Sequence, residues 1–132
     1  MTARHLVAVL STAIWIFGCS QPEPSPVSAL GRVTRVEVAF KQGRRTTITD
    51  STRIAVLRAA AERPGDWHSV PDTPPAGDAR AAFYRDTVFL GVLSVGPGFV
   101  GARGATAERF RRLNRPESDS IWAAMRGATS HD

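Results

Sequence analysis

The stretch VFLGVLSV, residues 88–95, decides the fold. Apolar side chains fill both of its alternating sets of positions: Val88, Leu90 and Val92 in one set, and Phe89, Leu93 and Val95 in the other. A strand that is apolar on both faces is typical of the centre of a sheet, with both faces covered. We therefore predict a central strand here, preceded by a turn at Asp86-Thr87 and a partner strand over residues 79–85.

The chain ahead of this pair predicts a hairpin followed by a helix. Apolar residues alternate with others over 36–40, which indicates a half-buried strand, and residues 45–49 return as a second strand. Asp50 is a typical N-cap, and Pro64-Gly65 ends the helix that it begins.

The chain after residue 95 predicts a further strand and a final helix. Residues 99–103 follow a Gly-Pro-Gly turn and pair back, whereas residues 107–113 fit both a short helix and an edge strand. Pro116 fits the first turn of a helix that Gly127 stops. The order ββ-α-βββ-α predicts an α+β fold, a mostly antiparallel sheet of about five strands with two helices.

The first 18 residues have the features of a signal peptide. Arg4 supplies a positive start, and residues 6–17 form an uncharged, largely apolar run. That run has the length of a signal-peptide core and is shorter than the roughly 20 residues of a membrane-spanning helix. We therefore expect this segment to be removed during export.

The motif Ile16-Phe17-Gly18-Cys19 resembles the lipobox of bacterial lipoprotein precursors, although Phe17 stands where a small or hydroxylated residue is usual. The resemblance covers only the first 20 residues. It implies cleavage before Cys19, a diacylglyceryl group on its sulfur and a palmitate-type acyl chain on its new amino group. Ser20 then favours the outer membrane of a two-membrane bacterium, with the domain facing the periplasm. The alternatives are an ordinary secretory signal and a small cysteine buried in the fold.

These features divide the chain into a signal peptide (1–18), a lipidated cysteine with a Pro-rich tether (19–30), one α+β domain (31–127) and a disordered tail (128–132). Alternating prolines favour an extended tether, at roughly 3.1 Å per residue, or about 30 Å in all. Cys19 is the only cysteine. The domain is therefore expected to be stable without a disulfide in an oxidising compartment.

The charge balance argues against a nucleic-acid partner. The 132 residues carry 17 Lys and Arg against 12 Asp and Glu, a formal net charge of +5. This surplus is not a basic block interleaved with aromatic residues, which nucleic-acid binding favours. The letters GPGFVG at 96–101 match a dinucleotide-binding fingerprint, but poor helix sequence follows them, so we predict a hairpin turn and no cofactor.

A long polar loop over residues 65–78 contains Trp67 and His68. A catalytic interpretation makes His68 a general base oriented by a nearby carboxylate, but no nucleophile is evident. A metal site needs three or four ligands, and the only histidines after residue 18 are His68 and His131, so we predict no metal. We expect Trp67 to pack the loop onto the domain and His68 to be solvated, and we keep both as candidate partner-binding residues.

The densest positive cluster consists of Arg109, Arg111, Arg112 and Arg115. On a strand, Arg109 and Arg111 share one face; on a helix, the four spread over more than one face. Charge runs are usually solvated surfaces. The alternative is a contact with an acidic protein partner, with anionic lipid headgroups or with a cell-wall polymer.

The sequence therefore predicts a non-catalytic envelope lipoprotein whose domain binds a protein partner in the periplasm. Two alternatives stay open: an inhibitor that inserts the 65–78 loop into an enzyme, and a small periplasmic enzyme that uses His68. If both helices cover one face of the sheet, the other apolar face of residues 88–95 needs a cover from a partner, a second copy or the 65–78 loop.

Overall fold

The computed structural model describes residues 25, 27, 30–69, 77–104 and 108–127. These residues form six strands and two helices: β1 (Arg35–Phe40), β2 (Arg45–Ile48), α1 (Ser51–Glu62), β3 (Ala79–Arg85), β4 (Val88–Gly96), β5 (Phe99–Arg103), β6 (Arg109–Arg112) and α2 (Arg115–Arg126). The α+β prediction is confirmed. The sheet has a sixth strand, β6, because residues 109–112 form a strand. The sequence of the segment 107–113 fitted both a short helix and an edge strand.

All six strands belong to one antiparallel sheet in the order β2-β1-β3-β4-β5-β6. The strand β4 lies inside the sheet between β3 and β5, as its apolar sequence predicts. We call the end of the sheet where β3 turns into β4 the lower end. The opposite end, where β1 turns into β2 and β4 turns into β5, is the upper end.

Both helices cover the same face of the sheet. The residues that face them pair across the central strands, Val38 with Ala81 and Ala81 with Leu93. These side chains form one buried cluster with helical residues such as Leu57 and Met125, which are both 0% exposed. Full burial of a side chain such as Leu57 contributes about 1.5–3 kcal/mol, so this layer is the main source of stability. The other face of the sheet carries no helix, and we call it the open face.

A β-bulge at the lower end changes the face of one aromatic residue. Phe83 pairs with Gly91 but Tyr84 pairs with Phe89, which leaves Leu90 as an extra residue in β4. Phe89 therefore lies beside Tyr84, with ring centroids 5.8 Å apart in an edge-to-face arrangement. The prediction that Phe89 shares a face with Leu93 is wrong, because strict alternation fails across a bulge.

The two helices begin and end at the residues that the sequence indicates, and they run antiparallel. The Asp50 side chain accepts a hydrogen bond from the Arg53 amide at 3.0 Å, which caps α1. Gly127 ends α2 with φ at 81°, a backbone conformation that favours glycine. The Arg53 side chain at the start of α1 donates to the carbonyl of Ala124 near the end of α2 at 2.8 Å.

Part of the predicted tether packs against the domain. Ser25 and Val27 are each 5% exposed and Leu30 is 2% exposed. A Cβ atom on Gly91 of β4 would lie 2.6 Å from Cγ1 of Val27, so the glycine makes room for this contact. The packed domain therefore includes residues ahead of the predicted start at Gly31.

The predicted signal peptide (1–18), Cys19 and the tail (128–132) lie outside the described residues. Neither helix of the described part has the length and apolar character of a membrane span.

Candidate functional site

The arginine-rich strand β6 sends its side chains to two different faces. Arg111 pairs with Val100, whose side chain is in the core, so Arg111 also points toward the helices. It is 2% exposed, whereas Arg112 and Arg115 are exposed and Arg109 is half-buried. The strand thus separates the predicted positive cluster into one internal arginine and others nearer the surface.

Arg111 is held by hydrogen bonds inside the domain. Its Nη1 and Nη2 atoms donate to the two carboxylate oxygens of Glu117 at 3.0 and 2.7 Å. Nη2 also donates to the carbonyl oxygen of Ala60 at 2.8 Å. Its Cζ atom lies 5.1 Å from the ring centroid of Trp67. Arg111 thereby joins β6, both helices and the start of the 65–78 loop.

Glu117 neutralises this buried charge and also binds a second arginine. Arg63 Nη1 donates to Glu117 Oε1 at 3.0 Å. The hydrogen bond from Arg111 lowers the pKa of the Glu117 carboxyl below its usual value; burial opposes this shift, and the nearby charges of Arg111 and Arg63 add to it. We call Arg111, Glu117, Arg63 and Trp67 the Arg111 cluster. The charge of Arg111 is paired with Glu117 inside the fold, so the role of this cluster is structural, although the buried Nε of Arg111 has no hydrogen-bond partner among the described residues.

Trp67 and His68 have separate roles at the start of the loop. Trp67 is 2% exposed and donates from Nε1 to the Arg63 carbonyl at 2.5 Å, which packs the loop onto the domain. His68 exchanges two backbone hydrogen bonds of 2.8 Å with Phe110 and extends the sheet past β6. Its side chain is exposed, and no carboxylate among the described residues is bonded to it. The rest of the predicted loop, 70–76, lies outside the described residues.

The described residues show no metal-binding arrangement. Within them, no group of three or more His, Cys, Asp or Glu side chains comes together. The sequence contains three histidines in all, and the described ranges include only His68.

The open face of the sheet carries a shallow groove of about 440 Å³. Its floor includes Ala39, Ala82 and Val92, and Arg80 and Arg103 stand at its sides. Val92 is only 5% exposed within this single chain, so its burial requires no second molecule. An antiparallel sheet can face water on one side. The expectation that both faces of β4 are covered is therefore met at Val92 but not at Phe89, which lies on the open face and is 50% exposed.

A larger cleft of about 770 Å³ lies at the upper end of the sheet. It is bounded by the β1–β2 turn, the last turns of α2 and the β4–β5 turn. Eight residues line this upper cleft: Phe40, Lys41, Gln42, Arg44, Asp78, Pro97, Trp122 and Arg126. Three of them are cationic and one is acidic, so the formal charge of the lining is 3 − 1 = +2.

The two arginines of the upper cleft are stacked on aromatic rings. The Cζ atom of Arg44 lies 5.0 Å from the ring centroid of Phe40, and that of Arg126 lies 5.0 Å from the ring centroid of Trp122. No carboxylate among the described residues forms an ion pair with either arginine or with Lys41. Stacking orients a guanidinium and leaves its N–H donors available for a ligand.

Backbone hydrogen bonds hold the walls of the upper cleft in place. The Lys41 amide donates to the Asp78 carbonyl at 2.8 Å, and the Asp78 amide donates to the Val95 carbonyl at 2.7 Å. The Phe40 amide donates to the backbone carbonyl of Arg44 at 2.8 Å, and this hydrogen bond closes the β1–β2 turn. The cations are therefore carried on a preformed frame, which lowers the entropy cost of binding a ligand.

Sequence reasoning did not find the upper cleft, because its cations are dispersed along the chain. Lys41 and Arg44 lie in the first turn of the domain, and Arg126 lies in its last helix. The one local signal for this cleft is the succession of Phe40, Lys41 and Arg44. The same pattern is also typical of an ordinary exposed turn. Of the residues predicted to bind a partner, the structure brings Trp67 and Arg111 together, but inside the domain.

We found no match to this chain among protein-family models, curated proteins or solved structures.

Proposed function

We propose that this chain is a membrane-anchored binding module of the bacterial envelope and that its upper cleft binds an acidic segment of a protein partner. The observation that carries the proposal is the set of three cations in the cleft, unpaired among the described residues, beside the ring of Trp122. The proposal involves no reaction, because the cleft offers charge and stacking surface, which serve recognition.

The lining of the cleft favours a peptide segment as the ligand. Trp and Arg are the residues that most often contribute large binding energies at protein interfaces. Lys41, Arg44 and Arg126 attract carboxylates, whereas Asp78 accepts hydrogen bonds from amide groups. A peptide with acidic side chains supplies both kinds of group. The volume of about 770 Å³ is within the range of known ligand sites.

The anchor in this proposal is Cys19, and its support is the lipobox resemblance. Acyl chains on Cys19 would hold the domain at a membrane surface, with the outer membrane favoured by Ser20. A binding module benefits from such an anchor because confinement raises its effective concentration near a partner in the same envelope. The inhibitor hypothesis for the 65–78 loop stays a prediction, since half of that loop, residues 70–76, lies outside the described residues.

Affinity purification from crosslinked envelopes tests the binding site. We expect the native chain to recover one partner in near-equal amount and the double variant R44E/R126E to lose it by at least about tenfold, since both changes reverse charge in the cleft. The control is Arg80→Glu, which reverses a single charge on the open face. Retention of the partner by the double variant would refute the upper cleft, and loss with Arg80→Glu alone would assign binding to the open face.

Mass spectrometry of the N-terminal peptide tests the anchor separately. We expect a diacylglyceryl group on the Cys19 sulfur, an acyl group on its amino nitrogen, and release of the Cys19→Ala chain from the membrane fraction. An unmodified Cys19 in membrane-associated protein would refute the anchor and leave the cleft experiment unaffected.

A further inference from the structure

The chain enters the domain close to the lower end of the sheet. The Ser25 hydroxyl donates to the carbonyl of Ala61, near the end of α1. The Leu30 amide donates to Glu62 Oε2 at 3.3 Å. Val27 and Leu30 both pack beside Gly91 in the lower half of β4. These contacts attach the segment that follows Cys19 to one side of the molecule.

The covalent distance from the anchor to this attachment is short. Ser25 follows Cys19 by 25 − 19 = 6 residues. Six residues span at most about 21 Å when fully extended. Ser25 is therefore held within that distance of the acylated sulfur, closer than the tether of about 30 Å that the prolines alone suggest.

Two apolar side chains are exposed at the same end of the sheet. Val88 is 52% exposed and Phe89 is 50% exposed, and they are the exposed large hydrophobic residues of the described part of the chain. They are neighbours at the first positions of β4. Arg85 pairs directly with Val88, and the side chain of Arg32 is 73% exposed nearby, where it approaches Asp86 at 3.6 Å.

The β3–β4 turn that carries these residues is fixed by the strand β1 and the residues before it. The Asp86 amide donates to the Thr34 hydroxyl at 2.8 Å, and the Arg35 side chain donates to the Asp86 carbonyl. The Thr34 amide donates to the Tyr84 carbonyl at 2.8 Å. Because the turn is already ordered, a surface that binds it has little conformational entropy to remove.

We propose that Val88 and Phe89 contact the interface of the phospholipid bilayer into which the acyl chains of Cys19 insert. This proposal rests on the proposed anchor. Aromatic and aliphatic side chains bordered by arginines suit this interface: the apolar groups enter the acyl boundary, and Arg32 and Arg85 bind headgroup phosphates. The domain then stands with its lower end on the membrane and its upper cleft directed away from it.

A tryptophan reporter tests this contact. The variant Val88→Trp places an indole at the lower end, and Gln42→Trp places one in the exposed β1–β2 turn at the upper end. The native Trp67 is buried and Trp122 lies in the upper cleft, so both give a constant background. Each lipidated variant is reconstituted in vesicles of phosphatidylethanolamine and phosphatidylglycerol, with and without phospholipids brominated along the acyl chain.

We expect brominated lipid to quench the reporter at position 88 at least about twofold more than the reporter at position 42, with blue-shifted emission. Equal, weak quenching at both positions would overturn the proposal. To separate this result from a failure of natural lipidation, chains beginning at Cys19 are coupled through its thiol to a maleimide lipid and measured in the same way. Strong quenching at position 88 with either anchor supports the contact. Weak quenching at position 88 with both the natural anchor and the maleimide lipid refutes it.

Discussion

Two arginine–tryptophan pairs in this domain have nearly the same distance between guanidinium and ring, but different surroundings. Arg111 lies 5.1 Å from the ring centroid of Trp67, and Arg126 lies 5.0 Å from that of Trp122. The side chain of Arg111 is 1% exposed and is bonded through two nitrogens to Glu117. Arg126 is exposed and has no carboxylate partner among the described residues.

The difference shows what decides the role of a stacked arginine. A buried guanidinium must be paired, because an unpaired charge in the interior is costly. Once Glu117 meets that need, Arg111 serves folding and has little charge to offer a ligand. Arg126 remains in solvent, where its charge costs little and can attract an anion. The carboxylate, and not the aromatic ring, distinguishes a structural pair from a candidate binding pair.

The largest loss of stability is expected when the Glu117 carboxylate is removed. Glu117→Ala leaves Arg111 buried with the Ala60 carbonyl and the Trp67 ring as its remaining contacts, so we expect the free energy of unfolding to fall by about 3–5 kcal/mol. Urea denaturation measures it. The control is Asp119→Ala, an exposed residue of the same helix, for which we expect a change within about 0.5 kcal/mol. A loss below about 1 kcal/mol for Glu117→Ala would mean that the Arg111 cluster is not structural.

A smaller change in the free energy of unfolding is expected when the pH is lowered. Arginine bonding lowers the pKa of Glu117 in the folded state below its ordinary value of 4.5, so the carboxylate stabilises the fold above that pH. This stabilisation is lost as the pH falls below 4.5 toward the lowered pKa. The difference in unfolding free energy between the native chain and Glu117→Ala should therefore shrink with acidification over this range. A difference that stays constant would contradict the role of the ionised carboxylate.

The smallest change in stability is expected when the pair of Arg126 and Trp122 is disrupted. Arg126→Ala removes an exposed stacked arginine that has no carboxylate partner among the described residues, so we expect a loss of stability of about 0.5–1 kcal/mol at most. Thermal and urea unfolding check this. A cost equal to that of Glu117→Ala would make the second pair structural as well, and it would remove the main support for the upper cleft as a binding site.

Several elements of the fold could be predicted because their signals are local. Alternation over 36–40 indicated β1, and Asp50 and Gly127 marked helix ends that the structure confirms. The segment at 107–113 stayed ambiguous, since four arginine-rich residues favour neither element until a neighbour is present. In the structure β5 provides that neighbour by pairing with β6. The bulge that turns Phe89 to the open face likewise depends on pairing with β3.

The candidate sites were less predictable than the fold. The run of arginines in β6 predicted a charged, solvent-exposed surface. Arg111 is nevertheless buried, because its position in the strand faces the helices. The upper cleft joins Lys41 and Arg126, which are far apart in sequence. No spacing rule connects such residues, because their proximity follows from where α2 ends relative to the β1–β2 turn.

By itself, the sequence determined the secondary structure of most of the domain, its α+β class and the central position of β4, because alternation, caps and turn residues act over a few positions. It also carries the lipobox resemblance, on which the proposed anchor rests. Only the tertiary structure decided which arginine is neutralised by Glu117 and which cations share the upper cleft. Those outcomes depend on strand order and helix packing, which bring together residues that no local interaction couples.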